Sequence, residues 1–148
     1  MKKIVLSFCI CLCAVISQAQ QNPVSWSFGA QHVSGSQYIV KFTANIDKDW
    51  VLYSQHIGED GPVPTGFFFT ENKDVKLIGE VEEKSEAIRV MDDLFMMEVV
   101  KFKDKAEFEQ LVELDVSTAT ISGELEYMTC DGAKCLPPKV IEFNIKIE

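Results

Sequence analysis

The sequence lacks the motifs that mark most cofactor sites and hydrolase active sites. It has no C-x-x-C-H run to attach haem, and no C-x-x-C pair at a helix start of the thioredoxin-like kind. Its two histidines, His32 and His56, stand at a separation that matches no common zinc-site spacing. No phosphate loop, Ser/His/Asp set or paired-carboxylate motif stands out. The sequence therefore predicts no cofactor and no metal site.

Positive charge and long apolar segments are also scarce. The 148 residues carry a formal net charge of −9, which loss of Lys2 and Lys3 with the amino-terminal leader would change to −11. An acidic balance argues against nucleic acid as a partner, because binding phosphates requires a basic surface. After the leader, no stretch approaches the roughly 20 apolar residues that a membrane-spanning helix needs. We therefore expect a protein that does not span the membrane once the leader is removed.

That leader, residues 1–19, has the three parts of a secretory signal peptide. Two lysines provide the positive start, Ile4–Ile16 is the apolar run, and Ser17-Gln18-Ala19 places small residues before a cleavage point. We predict cleavage after Ala19, a soluble periplasmic protein and a single domain over residues 20–148. An exported protein folds in a compartment that permits disulfides.

Three of the five cysteines lie inside this leader and should leave with it. They are Cys9, Cys11 and Cys13. A lipoprotein would need a small residue before the acylated cysteine, whereas Phe8, Ile10 and Leu12 occupy those positions. Lipid attachment is therefore not favoured, and the mature chain keeps two cysteines.

The mature chain reads as a series of short strands separated by turns. In most of them apolar and polar residues alternate, which is the pattern of a half-buried strand. The predicted strands are 24–30, 38–46, 50–55, 67–70, 75–81, about 97–102, 106–116, 118–128 and 140–147; the apolar period of 106–116 also fits a helix. In the third strand, Trp50, Leu52 and Ser54 face one way and Val51 and Tyr53 the other. Residues 82–93 are highly charged and are compatible with a strand and long loop or with one helical turn. Eight or nine strands without a long helical pattern predict an all-β, immunoglobulin-like antiparallel β-sandwich.

The two remaining cysteines, Cys130 and Cys135, flank a short turn that contains Asp131 and Gly132. A disulfide closing so short a loop removes only about 2 kcal/mol of unfolded-state entropy, against nearly 5 for a loop of about a hundred residues. The placement leans towards a dithiol that opens and closes rather than a staple. From the spacing alone, an inert brace and half of a metal site remain open alternatives.

Charged and apolar residues near the cysteines add two hypotheses. Lys134 beside Cys135 favours its thiolate and Asp131 disfavours that of Cys130, which would make Cys135 the attacking thiol. Alternatively, both charges simply solvate a turn. An exposed dithiol would over-oxidise, so a working pair needs cover. The run Asp92-Asp93-Leu94-Phe95-Met96-Met97 could lie over the sulfurs, or Leu94–Met97 could be ordinary core.

A family resemblance covers nearly the whole mature chain, from about Val24 to Glu148. The run Tyr-Met-Thr-Cys-Asp-Gly-Ala-Lys-Cys-Leu-Pro-Pro, which ends at Pro137-Pro138, resembles the redox segment of the amino-terminal periplasmic domain of the thiol:disulfide interchange protein DsbD. The segments Trp50-Val51-Leu52-Tyr53-Ser54 and Gly61-Pro62-Val63-Pro64-Thr65 are also similar to that family. The Cys…Cys-x-Pro-Pro run is the most specific part of the match.

The resemblance implies an immunoglobulin-like sandwich whose cysteines cycle between dithiol and disulfide. Such domains pass reducing equivalents from a thioredoxin-like donor to thioredoxin-like periplasmic acceptors, including proteins of cytochrome c biogenesis. By position, Cys135 would form the mixed disulfide with a partner and Cys130 would resolve it. The segment that covers the family's cysteines corresponds to Asp92-Asp93-Leu94-Phe95, with Leu94 or Phe95 as the shield. Tyr53 matches an aromatic beside the family's cysteines.

Two departures from the family stand out. Four residues separate the cysteines here, whereas better-known members have five between them. The sequence also contains no membrane-spanning electron carrier or thioredoxin-like domain, so we expect the membrane electron donor to be a separate protein. If the protein is an enzyme, it is a thiol:disulfide oxidoreductase acting on protein disulfides. The alternatives are a non-redox periplasmic binding or adaptor module with a structural disulfide, and a subunit that only docks onto a membrane redox complex.

Overall fold

The computed structural model describes residues 22–148, so the predicted signal peptide and its three cysteines lie outside the described part of the chain. Eleven strands and no helix are found in these residues. The strands are β1 Val24–Ser34, β2 Gln37–Ile46, β3 Val51–Tyr53, β4 Gly66–Phe69, β5 Val75–Glu83, β6 Ile88–Asp92, β7 Met97–Phe102, β8 Lys105–Leu114, β9 Ala119–Tyr127, β10 Thr129–Cys130 and β11 Lys139–Ile147. With no helix among them, none of the described segments could cross a membrane as a helix.

The strands form three antiparallel sheets, with orders β1-β2-β8-β5, β10-β3-β7-β6 and β11-β9-β4. The prediction of an all-β antiparallel protein is confirmed. Alternation explains why these segments become strands: in β2, Val40, Phe42 and Ala44 are buried while the residues between them are partly exposed. The inward rows of β9 and β11 follow the same period.

Eighteen buried residues drawn from all three sheets form the main core. Aromatic rings dominate its centre. Phe42 lies 4.7 Å from Phe67 and 5.0 Å from Phe143, measured between ring centroids, in tilted and edge-on geometries. Such pairs add about 0.5–1.5 kcal/mol each beyond area burial. The inter-sheet disulfide of antibody domains is replaced here by ring packing.

The short strand β3 separates this core from a second apolar cluster. Trp50, just before it, and Leu52 belong to the main core, whereas Val51 and Tyr53 point the other way. The two faces predicted from alternation are therefore observed. Both faces of the strand are buried, with Leu52 and Tyr53 fully shielded from solvent. This double burial places a second cluster directly behind the core.

Two strands were not clearly predicted: β6 lies in a segment for which a helical turn was the alternative, and β10 was not predicted. Within residues 82–93 the structure extends β5 to Glu83 and then forms β6, so the strand interpretation is correct and the helical turn is wrong. Four of the five β6 residues are exposed, which removes the alternation that would have revealed the strand. The other strand, β10, is only two residues long and contains Cys130.

Candidate functional site

The cysteines form a disulfide across a tight hairpin. Cys130 and Cys135 are directly opposed as a bridge between antiparallel segments, with Cα atoms 4.0 Å apart. On either side of the disulfide, the backbone N–H of Asp131 donates to the Lys134 carbonyl (3.0 Å) and that of Leu136 to the Thr129 carbonyl (3.0 Å). The backbone thus holds the two sulfurs within bonding distance.

The turn between the cysteines is shaped by Asp131 and Gly132. One carboxylate oxygen of Asp131 accepts the backbone N–H groups of Ala133 (3.0 Å) and Lys134 (2.9 Å). These bonds, led by that from Lys134, hold the pKa of the Asp131 carboxyl below its usual range. Gly132 has φ 87°, a left-handed conformation that other residues rarely adopt. Asp131 therefore organises the turn, and its predicted influence on the Cys130 thiol stays a prediction.

The cysteine hairpin is fixed to the sheet through β10. Thr129 pairs with Leu52 and Cys130 with Val51 on β3. The buried Thr129 hydroxyl also donates to the Val51 carbonyl oxygen at 2.7 Å. Because these bonds do not involve sulfur, breaking the disulfide leaves the anchor of Cys130 in place.

The two cysteines differ in exposure. Cys130 is 1% exposed, whereas Cys135 is half-buried. Cys130 belongs to an apolar group that we name the site cluster. It comprises the buried Val51, Tyr53, Val99 and Cys130, with Ile57, Phe95, Met97, Met128 and Cys135 packed against them. Cys135 is therefore the more exposed cysteine of the pair.

A loop between β6 and β7, residues 93–96, contributes Phe95 to this cluster. We name these four residues the cap loop. The Phe95 ring packs edge-on against Tyr53, with centroids 5.9 Å apart. Of the two predicted shield candidates, Phe95 packs into the site cluster, while Leu94 is 42% exposed and lies outside it. The neighbouring Met96 is 81% exposed with φ 54°.

Asp92, at the end of β6, ties the cap loop to the sheet. Its Oδ1 accepts the Leu94 backbone N–H (3.0 Å), and its Oδ2 accepts the Lys101 ammonium (2.8 Å) and the Tyr53 hydroxyl (3.4 Å). Burial alone would raise the pKa of Asp92, but the Lys101 bond and charge and the backbone donors outweigh it and lower that pKa. Burial, with help from the Asp92 charge, raises the Tyr53 pKa. Asp93, the second predicted acid, is exposed.

Met97, the last residue of the run predicted to cover the sulfurs, packs against the loop that contains Gly58 and Gly61. Two further contributors to the site were not predicted from the sequence. Met128 Sδ accepts the Val63 backbone N–H at 3.4 Å. Lys101, the ion-pair partner of Asp92, was also missed. The only sequence signal for Lys101 was a lysine within the mostly apolar segment that becomes β7.

The remaining predicted residues surround or lie away from the disulfide. Lys134 is exposed in the turn, and Pro137 lines a cleft of about 160 Å³ together with Tyr127 and Leu136. His32 Nε2 lies 2.9 Å from the Gly35 carbonyl oxygen, in the turn between β1 and β2. His56 is exposed. Residues 22–148 contain no group of three or more His, Cys, Asp or Glu side chains arranged to hold a metal ion.

Solved structures share this fold. The N-terminal periplasmic domain of ScsB from Proteus mirabilis matches with a TM-score of 0.61 and 12% identity over 89% of this chain and 49% of that one. The N-terminal domain of DsbD from Neisseria meningitidis, in the reduced form, matches with a TM-score of 0.53 and 17% identity over 80% and 82%. This chain thus spans about half of the ScsB chain. Neither a family model nor a curated protein matches the sequence. The predicted immunoglobulin-like, DsbD-type sandwich fold is confirmed.

Proposed function

We propose that this protein is an exported thiol–disulfide interchange domain that carries electrons through Cys130 and Cys135. The observation that carries the proposal is the disulfide itself. It joins one buried and one half-buried cysteine in a cluster that includes an aromatic side chain, on the fold of the DsbD amino-terminal domain. A brace needs neither the difference in exposure nor the cover.

The exchange begins when a partner thiolate attacks Sγ of Cys135. The Cys130–Cys135 bond breaks, Cys130 leaves as a thiolate, and a mixed disulfide joins Cys135 to the partner. The partner's second thiol, as a thiolate, then attacks the partner sulfur of the mixed disulfide and releases Cys135 as a thiolate. The partner has lost two electrons and become a disulfide, and this protein has gained two electrons and, once protonated, two thiols. The reverse sequence would reduce an acceptor.

The partners are proposed to be thioredoxin-like periplasmic proteins, supplied with electrons by a membrane donor. The predicted signal peptide supports export, and export would place the disulfide in a compartment that permits it. Specificity would come from the surface around Cys135, because exchange itself requires no further catalytic group.

Single-cysteine variants test the proposal. In Cys130→Ser the remaining thiol is the accessible one, so incubation with an oxidised thioredoxin-like protein should trap a mixed disulfide visible on a non-reducing gel. In Cys135→Ser the remaining thiol is the buried one, and no adduct should form. If neither variant forms an adduct, the carrier function is contradicted.

The rival function is a non-redox binding module in which the disulfide is only a brace. Equilibration against glutathione separates the two, because structural disulfides have potentials below about −300 mV and resist reduction by that buffer. We expect Cys130–Cys135 to titrate at a milder potential. A bond that stays closed throughout the titration would favour the binding module.

A further inference from the structure

One ion pair near the site is far less exposed than the other ion pairs of the described chain. The Lys101 ammonium lies 2.8 Å from Asp92 Oδ2, and the two side chains are only 16% and 6% exposed. On the same hairpin, the Arg89–Glu98 pair spans a similar 2.9 Å, but those side chains are 67% and 57% exposed. Burying a carboxylate as deeply as that of Asp92 is energetically unfavourable without a cationic partner, and Lys101 provides that partner.

Strand register places Lys101 where it can pair with Asp92. It pairs with Tyr53 on β3 and with Ile88 on β6, so it lies in the middle of the sheet that carries Cys130. Its side chain reaches along the sheet to the end of β6, where Asp92 precedes the cap loop.

The Asp92 carboxylate connects Lys101 to the aromatic cover. One oxygen binds Lys101 and Tyr53, and the other accepts the backbone N–H of Leu94 within the cap loop. The next residue is Phe95, whose ring packs on Tyr53 and against the cluster that contains Cys130. Without Lys101, the Asp92 carboxylate would keep only uncharged hydrogen-bond donors. Moving the carboxylate into water would then remove the energetic cost of its burial. Such a movement would draw Leu94 and Phe95 away from the sheet.

We propose that Lys101 is a positioning residue for the exchange site: by holding Asp92 against the sheet it keeps the cap loop closed, and so limits how fast a thiol reaches Cys135. This inference rests on the proposed function for its biological meaning. We name the contact between Lys101 and Asp92 the latch, and the latch itself is a property of the isolated protein. Lys101 touches neither partner nor sulfur and acts through Asp92 and Phe95.

The rate at which dithiothreitol reduces the disulfide tests the latch. In that reaction two thiols of the reagent become a cyclic disulfide, and Cys130 and Cys135 become two thiols. Lys101→Met keeps the length of the side chain and removes its charge. We expect reduction of this variant to be about tenfold faster, which corresponds to about 1.4 kcal/mol in the opening equilibrium. Lys101→Arg should restore a rate close to that of the wild type, because its guanidinium can also bind Asp92.

Arg89→Met is the matched control, since it removes an exposed ion pair from the same hairpin. Its reduction rate should equal that of the wild type. An unchanged rate in Lys101→Met, or an equal rise in Arg89→Met, would overturn the latch. Should Lys101→Met fail to fold, Lys101→Gln takes its place with the same expectations. Formation of a mixed disulfide with a thioredoxin-like protein is measured separately from the rate of reduction. A failure of the latch and a failure of the proposed function therefore give different results.

Discussion

The main core and the site cluster lie on opposite sides of β3, and they are built on different principles. Eighteen buried residues form the main core, and aromatic rings pack against one another at its centre. Four buried residues form the site cluster, and parts of its cover come from loops, including Phe95 and Ile57. The core also lacks an ion pair, whereas Lys101 and Asp92 lie at the edge of the site cluster. The comparison indicates that stability resides on one side of β3 and local opening on the other.

The largest effect should come from the main core. Phe42→Ala removes a fully buried ring that packs on Phe67 and Phe143, so we expect it to lower the free energy of unfolding by about 3–5 kcal/mol. Because the site cluster lies behind β3, the glutathione potential of the disulfide should stay unchanged in molecules that remain folded. Urea unfolding and a redox titration measure the two quantities. A shift in potential as large as the loss of stability would mean that core and site form one unit.

A smaller effect should follow reduction of the disulfide in the wild-type protein. The loop it closes is short, so the reduced form should be less stable than the oxidised form by only about 2 kcal/mol. Strand β10 should persist, since Thr129 and Cys130 keep their pairing with β3 without the sulfur bond. Urea unfolding followed by circular dichroism, with and without reductant, gives the difference. Unfolding on reduction would instead identify a structural staple.

The sequence predicted the two faces of β3 because alternation reports burial directly, residue by residue. Trp50 and Leu52 were assigned to one face and Val51 and Tyr53 to the other, as observed. The cysteine turn could also be predicted from the sequence, since its residues are contiguous in the chain. Strand β6 could be predicted only as one of two alternatives, because four of its five residues are exposed and burial does not alternate along it. The Lys101–Asp92 pair was also hidden, since register across a hairpin, rather than local period, brings those residues together.

The sandwich could be predicted because many residues repeat one pattern, and the structure confirms it. The choice between Leu94 and Phe95 needed the structure, because a loop carries no periodicity that indicates which side chain turns inward.

The smallest effect on stability should accompany a clear effect on the rate at which the disulfide is reduced. Phe95 is half-buried, so Phe95→Ala should cost only about 1 kcal/mol, roughly half of what burying a large side chain contributes. Its ring nevertheless lies over Tyr53 and the cluster that contains Cys130, so its loss should speed reduction of the disulfide by dithiothreitol several-fold. Leu94→Ala is the control, because Leu94 is exposed and outside the cluster and should alter neither quantity appreciably. If Leu94→Ala accelerates reduction and Phe95→Ala does not, the shield has been assigned to the wrong residue. If neither variant does, the disulfide opens without the cap loop, and the division between a stable core and an opening site must be drawn elsewhere.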